Sequence, residues 1–193
     1  MDAFERLIEA LRKRRVRFVV IGLSGANYYA RSAGSLFATQ DRDLFLEPNA
    51  DNVLAAWQAC EAVGLHLICS DEPLDLPRDR VLAERVVANQ ASGRATDGAR
   101  LDVDLTLVMA GFDFATVWKG RRTFRVNDLQ IPVARLRHIV ESKRQAGRDK
   151  DRLFLAAHAD TIRDLERSQG ESEKGRQTPK RKGSRPGRKR PPR

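Results

Sequence analysis

The chain has 193 residues, of which 41% are hydrophobic, and a formal net charge of +10 at pH 7. This length is sufficient for one domain with its own core, and no apolar run reaches the roughly 18 residues that a membrane-spanning helix needs. The N-terminus carries an amphipathic charged stretch rather than a signal peptide, and the two cysteines suit neither a disulfide framework nor a zinc site. We therefore expect a cytoplasmic protein without a membrane partner.

The positive charge is concentrated at the C-terminal end. Residues 168–193 contain ten Lys and Arg against two Glu, which leaves only about +2 for residues 1–167. This segment is rich in Pro, Gly and Ser and has no aliphatic residue, so it cannot offset its ordering entropy by burying apolar surface. The composition predicts a folded domain over 1–167 and a disordered basic tail over 168–193. Such a tail without aromatic residues binds nucleic acid at most weakly and without reading its sequence.

The first part of the chain predicts a helix, a strand and a second helix. Residues 2–14 place apolar side chains at helical spacing, and the β-branched run RFVVIG, residues 17–22, is typical of a buried strand. The sequence LSG then predicts a turn into a helix, with Ser24 or Gly25 where backbone N–H groups would otherwise lack partners. A Gly/Ser turn between a strand and a helix leaves donors that can hold an anion such as a phosphate.

The remaining elements follow from periodicity and turn residues. The predicted strands lie at 41–47, 65–69 and 100–108, with a hairpin around Asn127 and Asp128. The predicted helices lie at 49–63, with Asn49 or Asp51 as cap, near 78–90, within 111–118, and near 134–145 and 149–167. A mixture of strands and helices in this order indicates an α/β fold.

Paired carboxylates occur on two of the predicted strands. Alternation along a strand makes Asp41 and Asp43 project to one side, and it aligns Asp102 with Asp104 in the same way. Two carboxylates about 4 to 5 Å apart repel by roughly 3 to 4 kcal/mol at an effective dielectric near 20. Protonation, an Arg partner or a divalent cation would relieve this repulsion. Oxygen ligands without nearby His or Cys favour Mg²⁺ or Mn²⁺, although Asp-x-Asp also occurs at solvated strand ends for purely structural reasons.

Three segments taken in order resemble one family: VVIGLSGANYYA, TQDRDLFLEP and RLDVDLTLVMAGFDF. They are similar to the nucleotidyltransferase superfamily of the DNA polymerase β type, in particular its small bacterial members akin to abortive-infection toxins and minimal nucleotidyltransferases. The later run IPVARLRHIVESKRQAGRDKDRLFL is similar to the closing helices of that family. The resemblance implies a nucleotidyltransferase-like mixed sheet flanked by helices, with a helical C-terminal part.

The resemblance also implies a set of site residues. The catalytic and metal-binding carboxylates would be Asp41, Asp43 and Asp104, with Asp102 as the rival for the third position. The nucleotide-binding residues would be Gly22, Ser24, Gly25 and Lys143. In the family, Gly is followed at once by Gly or Ser, whereas here Leu23 intervenes, and its Cβ disfavours the backbone curl around a phosphate.

The implied activity is a metal-dependent transfer of a nucleoside monophosphate from a nucleoside triphosphate to a hydroxyl group. The acceptor would be tRNA, another protein or a small molecule. The resemblance includes toxins with a cognate antitoxin and leaves open whether this protein is one of them. The alternative is a non-catalytic protein of the same fold that engages nucleic acid or a partner through its basic tail.

Overall fold

The structure, a computed structural model, describes residues 1–31, 36–39, 41–70 and 72–177. These residues form eight helices and one sheet of eight strands. The helices are α1 (Ala3–Lys13), α2 (Gly22–Ala30), α3 (Ala50–Ala62), α4 (Arg80–Ala88), α5 (Phe114–Gly120), α6 (Leu136–Ala146), α7 (Asp149–Ala157) and α8 (Ala159–Gln177). The strands are β1 (Phe18–Ile21), β2 (Arg42–Leu46), β3 (His66–Cys69), β4 (Glu72–Pro73), β5 (Gly93–Thr96), β6 (Asp102–Thr106), β7 (Arg122–Val126) and β8 (Leu129–Val133).

The sheet is mixed, with the strand order β4-β3-β5-β6-β2-β1-β8-β7. Strand β2 lies at its centre, antiparallel to β1 and parallel to β6. All four residues of β1 are buried, as are the last three residues of β2. These apolar side chains therefore form the middle of the core. The mixed α/β class expected from the sequence is confirmed.

The half of the sheet formed by β3, β5 and β6 buries only one of its faces. The side chains of Leu67, Ala95, Val103 and Leu105 are buried, while the residues that alternate with them are at least partly exposed. Because alternate residues of a strand share a face, Asp102, Asp104 and Thr106 all project to the solvated side of β6. This side of the sheet is available for a functional site.

Helix α3 forms hydrogen bonds to the backbone at the start of β1 and at the end of β2, away from this polar region. The Asn52 side chain accepts a hydrogen bond from the Arg17 N–H at 2.7 Å and donates to the carbonyl oxygens of Arg17 and Glu47 at 3.0 and 3.2 Å. One amide thus satisfies three backbone groups just outside the two strands. These bonds hold the start of β1 beside the end of β2.

Most predicted elements are present, and the differences have local causes. The predicted turn before α2 is absent, because the helix starts at Gly22 directly after β1. Strands β4 and β5 were not predicted. The sequence GRAT of β5 begins with Gly and has one buried side chain, so its own residues favour a strand only weakly. It forms a strand because it pairs with both β3 and β6.

The C-terminal helices also differ from the predicted pattern. The single helix predicted over 149–167 is divided at His158 into α7 and α8, and α8 continues to Gln177. Ile162 and Leu165 hold α8 against the core. The sequence beyond them is rich in Glu, Gln, Lys and Arg, which are favourable in helices. Residues 178–193 of the predicted basic tail lie outside the described residues. Over the part of the chain that is described, no helix combines the length and apolar composition that a membrane crossing requires.

Replacement of Asn52 by Ala is expected to lower the free energy of unfolding by about 2 to 3 kcal/mol, because it leaves backbone groups near the core without partners. Urea denaturation measures this change. The matched control is Asn49→Ala, which removes the exposed N-cap of the same helix and should cost only about 1 kcal/mol. If Asn52→Ala lowers the free energy of unfolding by no more than Asn49→Ala does, the proposed role of Asn52 in holding β1 and β2 together would be contradicted.

Candidate active site

A cleft of about 1300 Å³ opens at the solvated side of β5, β6 and the beginning of β2. Three groups of side chains on its lining bear on function. The acidic group is Asp41, Asp43 and Asp104. The basic group, from α6, α7 and the turn between them, is Lys143, Arg148 and Lys150, together with Asp151. The third group comprises Gly22 and Leu23 at the start of α2 and Arg94 of β5.

The parallel pairing of β2 with β6 brings the predicted carboxylates together. Asp43 and Asp104 are direct Cα partners in this pairing. Asp41 lies two residues before Asp43, is exposed and lines the same cleft, whereas the guanidinium of Arg42 points away and lies 5.5 Å from the ring of Phe4. Asp102 is not among the lining residues. The geometry therefore favours Asp104 over Asp102 as the third carboxylate.

Gly22 is required by the close approach of Asp43. Its φ is +62°, and a Cβ at this position would lie 2.0 Å from Oδ2 of Asp43. An L-residue would be strained in this backbone conformation and would also collide with the carboxylate. The glycine thus belongs to the site because it makes room for Asp43.

Ser24 and Gly25 lie beneath the cleft and do not line it. Ser24 is 3% exposed, and its hydroxyl donates to the carbonyl oxygen of Ile21 at 3.1 Å and accepts from the Asp43 N–H at 3.4 Å. A Cβ on Gly25 would lie 3.0 Å from the carbonyl oxygen of Val20. These two residues, predicted to contact a nucleotide, instead fit α2 against β1 and β2. Leu23, the residue that interrupts the predicted turn, lines the cleft in their place.

Arg94 is the site residue that the sequence analysis missed. It is the Cα partner of Asp104 across the antiparallel pair β5–β6. Its Nε donates to Oδ1 of Asp104 at 2.7 Å and its Nη2 donates to Oδ2 at 3.3 Å, so the guanidinium holds both carboxylate oxygens. The Asp-Gly pair at 97–98 was the available signal, because this dipeptide is typical of a turn between two paired strands.

The crowding of the acids changes the protonation of Asp43. Burial, and then the charges of Asp104 and Asp41, raise the pKa of Asp43 to about 6, against the opposing effect of Lys143 and Lys150. Two of the three expected ways to relieve the repulsion therefore operate here. Asp104 has an Arg partner, and Asp43 retains its proton to a higher pH than an ordinary aspartate.

The basic wall of the cleft is organised around one buried carboxylate. Asp151 is 1% exposed and accepts hydrogen bonds from Nζ of Lys143 at 2.6 Å and from Nε of Arg148 at 2.7 Å. Burial alone would raise the pKa of Asp151, but these two bonds outweigh it and the pKa is lowered. Gly147, in the left-handed conformation, ends α6 and allows this close turn. Lys143 is thus held in a fixed position at the cleft.

The acidic group fits a hard divalent cation by its chemistry, because it supplies carboxylate oxygens without His or Cys. Within residues 1–31, 36–39, 41–70 and 72–177, however, no three His, Cys, Asp or Glu side chains are already arranged to hold a metal ion. The guanidinium of Arg94 donates to both oxygens of the third carboxylate. A cation such as Mg²⁺ or Mn²⁺ would have to compete with Arg94 for Asp104.

No protein-family model matches the sequence, and no curated protein shows significant similarity to it. A functional assignment therefore depends on the residues of the cleft.

Replacement of Asp43 by Asn should change stability in a pH-dependent way. The pKa of Asp43 in the folded protein is about 6, above its ordinary value of 3.8, so the folded state binds more protons between these values and loses stability as pH rises through them. Asn carries no charge. The variant should therefore be more stable than the wild type by about 2 kcal/mol near pH 7 and should lose this advantage near pH 4. Urea denaturation at both pH values tests this, with Asp102→Asn as control; an equal effect of Asp43→Asn at both would contradict it.

Replacement of Gly22 by Ala should destabilise the protein by about 2 to 4 kcal/mol, because it combines backbone strain with a collision against Asp43. The matched control is Gly98→Ala. Gly98 also has a positive φ, +74°, but a Cβ there would meet nothing within 4 Å. The difference between the two variants in urea denaturation isolates the collision. Equal costs would show that Asp43 does not constrain position 22.

Proposed function

We propose that the protein is a metal-dependent nucleotidyltransferase that transfers a nucleoside monophosphate from a nucleoside triphosphate to a hydroxyl acceptor. One observation carries the proposal. Asp41, Asp43 and Asp104 line a single cleft from the beginning of β2 and from β6, and Lys143 and its basic neighbours line the same cleft. The sheet with its flanking helices is consistent with the nucleotidyltransferase-like architecture that the sequence resembles. The same resemblance extends the proposal to a cytoplasmic toxin with a cognate antitoxin.

The two walls of the cleft match the two charges of a metal-bound triphosphate. The acidic wall suits Mg²⁺ or Mn²⁺, which bind through one or two carboxylates and substrate phosphates. The basic wall suits the phosphates themselves, and Lys143 acts there as a compact cation whose position is fixed by Asp151. The start of α2 at Gly22 adds backbone N–H groups to the same region.

The chemistry requires no protein nucleophile. The acceptor oxygen forms a bond to the α-phosphorus, the bond from that phosphorus to the bridging oxygen breaks, and pyrophosphate leaves. Asp41, Asp43 and Asp104 would hold the metal, which would supply stabilisation of the negative charge on the attacking and leaving oxygens. Asp104 would also help to activate the acceptor hydroxyl by accepting its proton. Because Asp43 must be ionised for this role, metal binding should strengthen as pH rises through about 6.

A second candidate is a non-catalytic binding protein of the same architecture. The bidentate bond from Arg94 to Asp104 favours it, because that carboxylate is already neutralised by a protein group. Such a protein would engage nucleic acid or a partner through its basic C-terminal segment, and its acidic group would have no catalytic role.

Incubation of the protein with each labelled nucleoside triphosphate, Mg²⁺ or Mn²⁺, and total tRNA or a cell extract tests the two candidates. We expect a labelled product from at least one nucleotide. Asp43→Asn and Asp104→Asn should each reduce the rate by about 10²-fold or more, since each removes a group that stabilises the transition state.

Asp102→Asn is the matched control for this assay, because Asp102 lies on the same face of β6 as Asp104 but does not line the cleft. This variant should retain most of the activity. Failure of every nucleotide to transfer, combined with no metal binding in calorimetry, would contradict the enzymatic proposal. Equal losses in Asp102→Asn and Asp104→Asn would contradict the assignment of the third carboxylate.

A further inference from the structure

The contact between Arg94 and Asp104 is set by the backbone as well as by the side chains. The two residues are direct cross-strand partners, which places their side chains on the same face at the shortest inter-strand distance. The guanidinium donates to both oxygens of Asp104, and its Nη1 lies 3.8 Å from Oδ2 of Asp102. Arg94 thus contacts both carboxylates of β6.

The position of this guanidinium conflicts with that of a divalent ion. An ion shared by Asp43 and Asp104 would approach the carboxylate whose two oxygens Arg94 already holds. Two like charges within a few ångströms repel strongly in a partly buried site. The ion and the guanidinium therefore compete for Asp104.

The side chain of Arg94 can move away from Asp104. Its side chain is 39% exposed, and Ser92, just before β5, and Thr106 of β6 line the same cleft. The Ser92 hydroxyl donates to that of Thr106 at 3.4 Å and keeps its oxygen lone pairs as acceptors. A guanidinium displaced from Asp104 can donate to such hydroxyls and to water. The cost of release is therefore that of one partly exposed ion pair rather than of a buried one.

We propose that Arg94 is a positioning residue that acts as the resident counter-ion of Asp104 and is exchanged for the divalent cation when the site is loaded. This proposal rests on the proposed function for the identity of the cation, and it adds the step by which that cation gains access. In the metal-free protein, Arg94 balances the charge of the Asp104 carboxylate and orients it. On loading, the cation takes over both tasks.

The test is Mn²⁺ binding without nucleotide, measured by isothermal titration calorimetry on the full chain above the pH at which Asp43 ionises. Arg94→Ala should bind Mn²⁺ roughly tenfold more tightly than the wild type, because no ion pair has to be broken. Arg94→Lys retains the charge but cannot donate to both oxygens from one planar group, so its Mn²⁺ affinity should lie between those of the wild type and Arg94→Ala. Arg100→Ala removes an exposed Arg near the same strand pair and should bind as the wild type does.

Thermal denaturation gives a second readout. Metal-free Arg94→Ala should melt at a lower temperature than the wild type because Asp104 has lost its partner, and Mn²⁺ should raise its melting temperature by more. In an Asp104→Asn background, the gain in Mn²⁺ affinity from Arg94→Ala should disappear. If Arg94→Ala does not fold, the same comparison is made with Arg94→Lys.

The outcomes separate this proposal from the proposed function. Equal Mn²⁺ affinity in the wild type and Arg94→Ala would overturn the exchange and leave the metal-dependent function intact. Weaker binding by Arg94→Ala would also overturn it, since Arg94 would then support the metal site rather than compete with it. No Mn²⁺ binding by any variant would overturn both proposals.

Discussion

The parallel register of β2 with β6 is the constraint on which the rest of the site depends. It sets Asp43 directly beside Asp104 at the edge of the core, where their repulsion cannot be fully screened by water. A shift of either strand by one residue would turn one of these carboxylates to the opposite face. The amide of Asn52 and the hydroxyl of Ser24 bond backbone groups near the two ends of β2, so β2 is held beside β1 while it pairs with β6 on its other side.

The molecule contains this repulsion with three different devices. Arg94 neutralises Asp104, the raised pKa of Asp43 lowers its average charge near pH 6, and the basic groups across the cleft attract the remaining negative charge. On the other wall, a single buried carboxylate, Asp151, plays the complementary part by holding Lys143 and Arg148. The acidic group is therefore bound by one cation, Arg94, and the basic group is bound by one carboxylate, Asp151. This arrangement maintains two oppositely charged groups of side chains in one cleft.

Much of this was predictable because it depends on local patterns. The alternation of apolar and acidic residues predicted β2 and β6, and the shared face of Asp41 and Asp43 followed from it. The short-range signals at Asn49 and at Asn127 also predicted the start of α3 and the hairpin β7–β8. In contrast, β5 carries almost no strand signal of its own, and so Arg94 was missed together with the strand that presents it.

The sequence by itself determined which residues are acidic, which are glycine and which segments alternate, because periodicity and composition act within a few residues along the chain. Only the tertiary structure decided which carboxylates meet. Asp104 rather than Asp102 borders Asp43, Leu23 rather than Ser24 or Gly25 lines the cleft, and Gly22 makes room for a carboxylate. The physical reason is that strand register and the close approach of side chains depend on pairing between segments far apart in the chain, which no local pattern encodes.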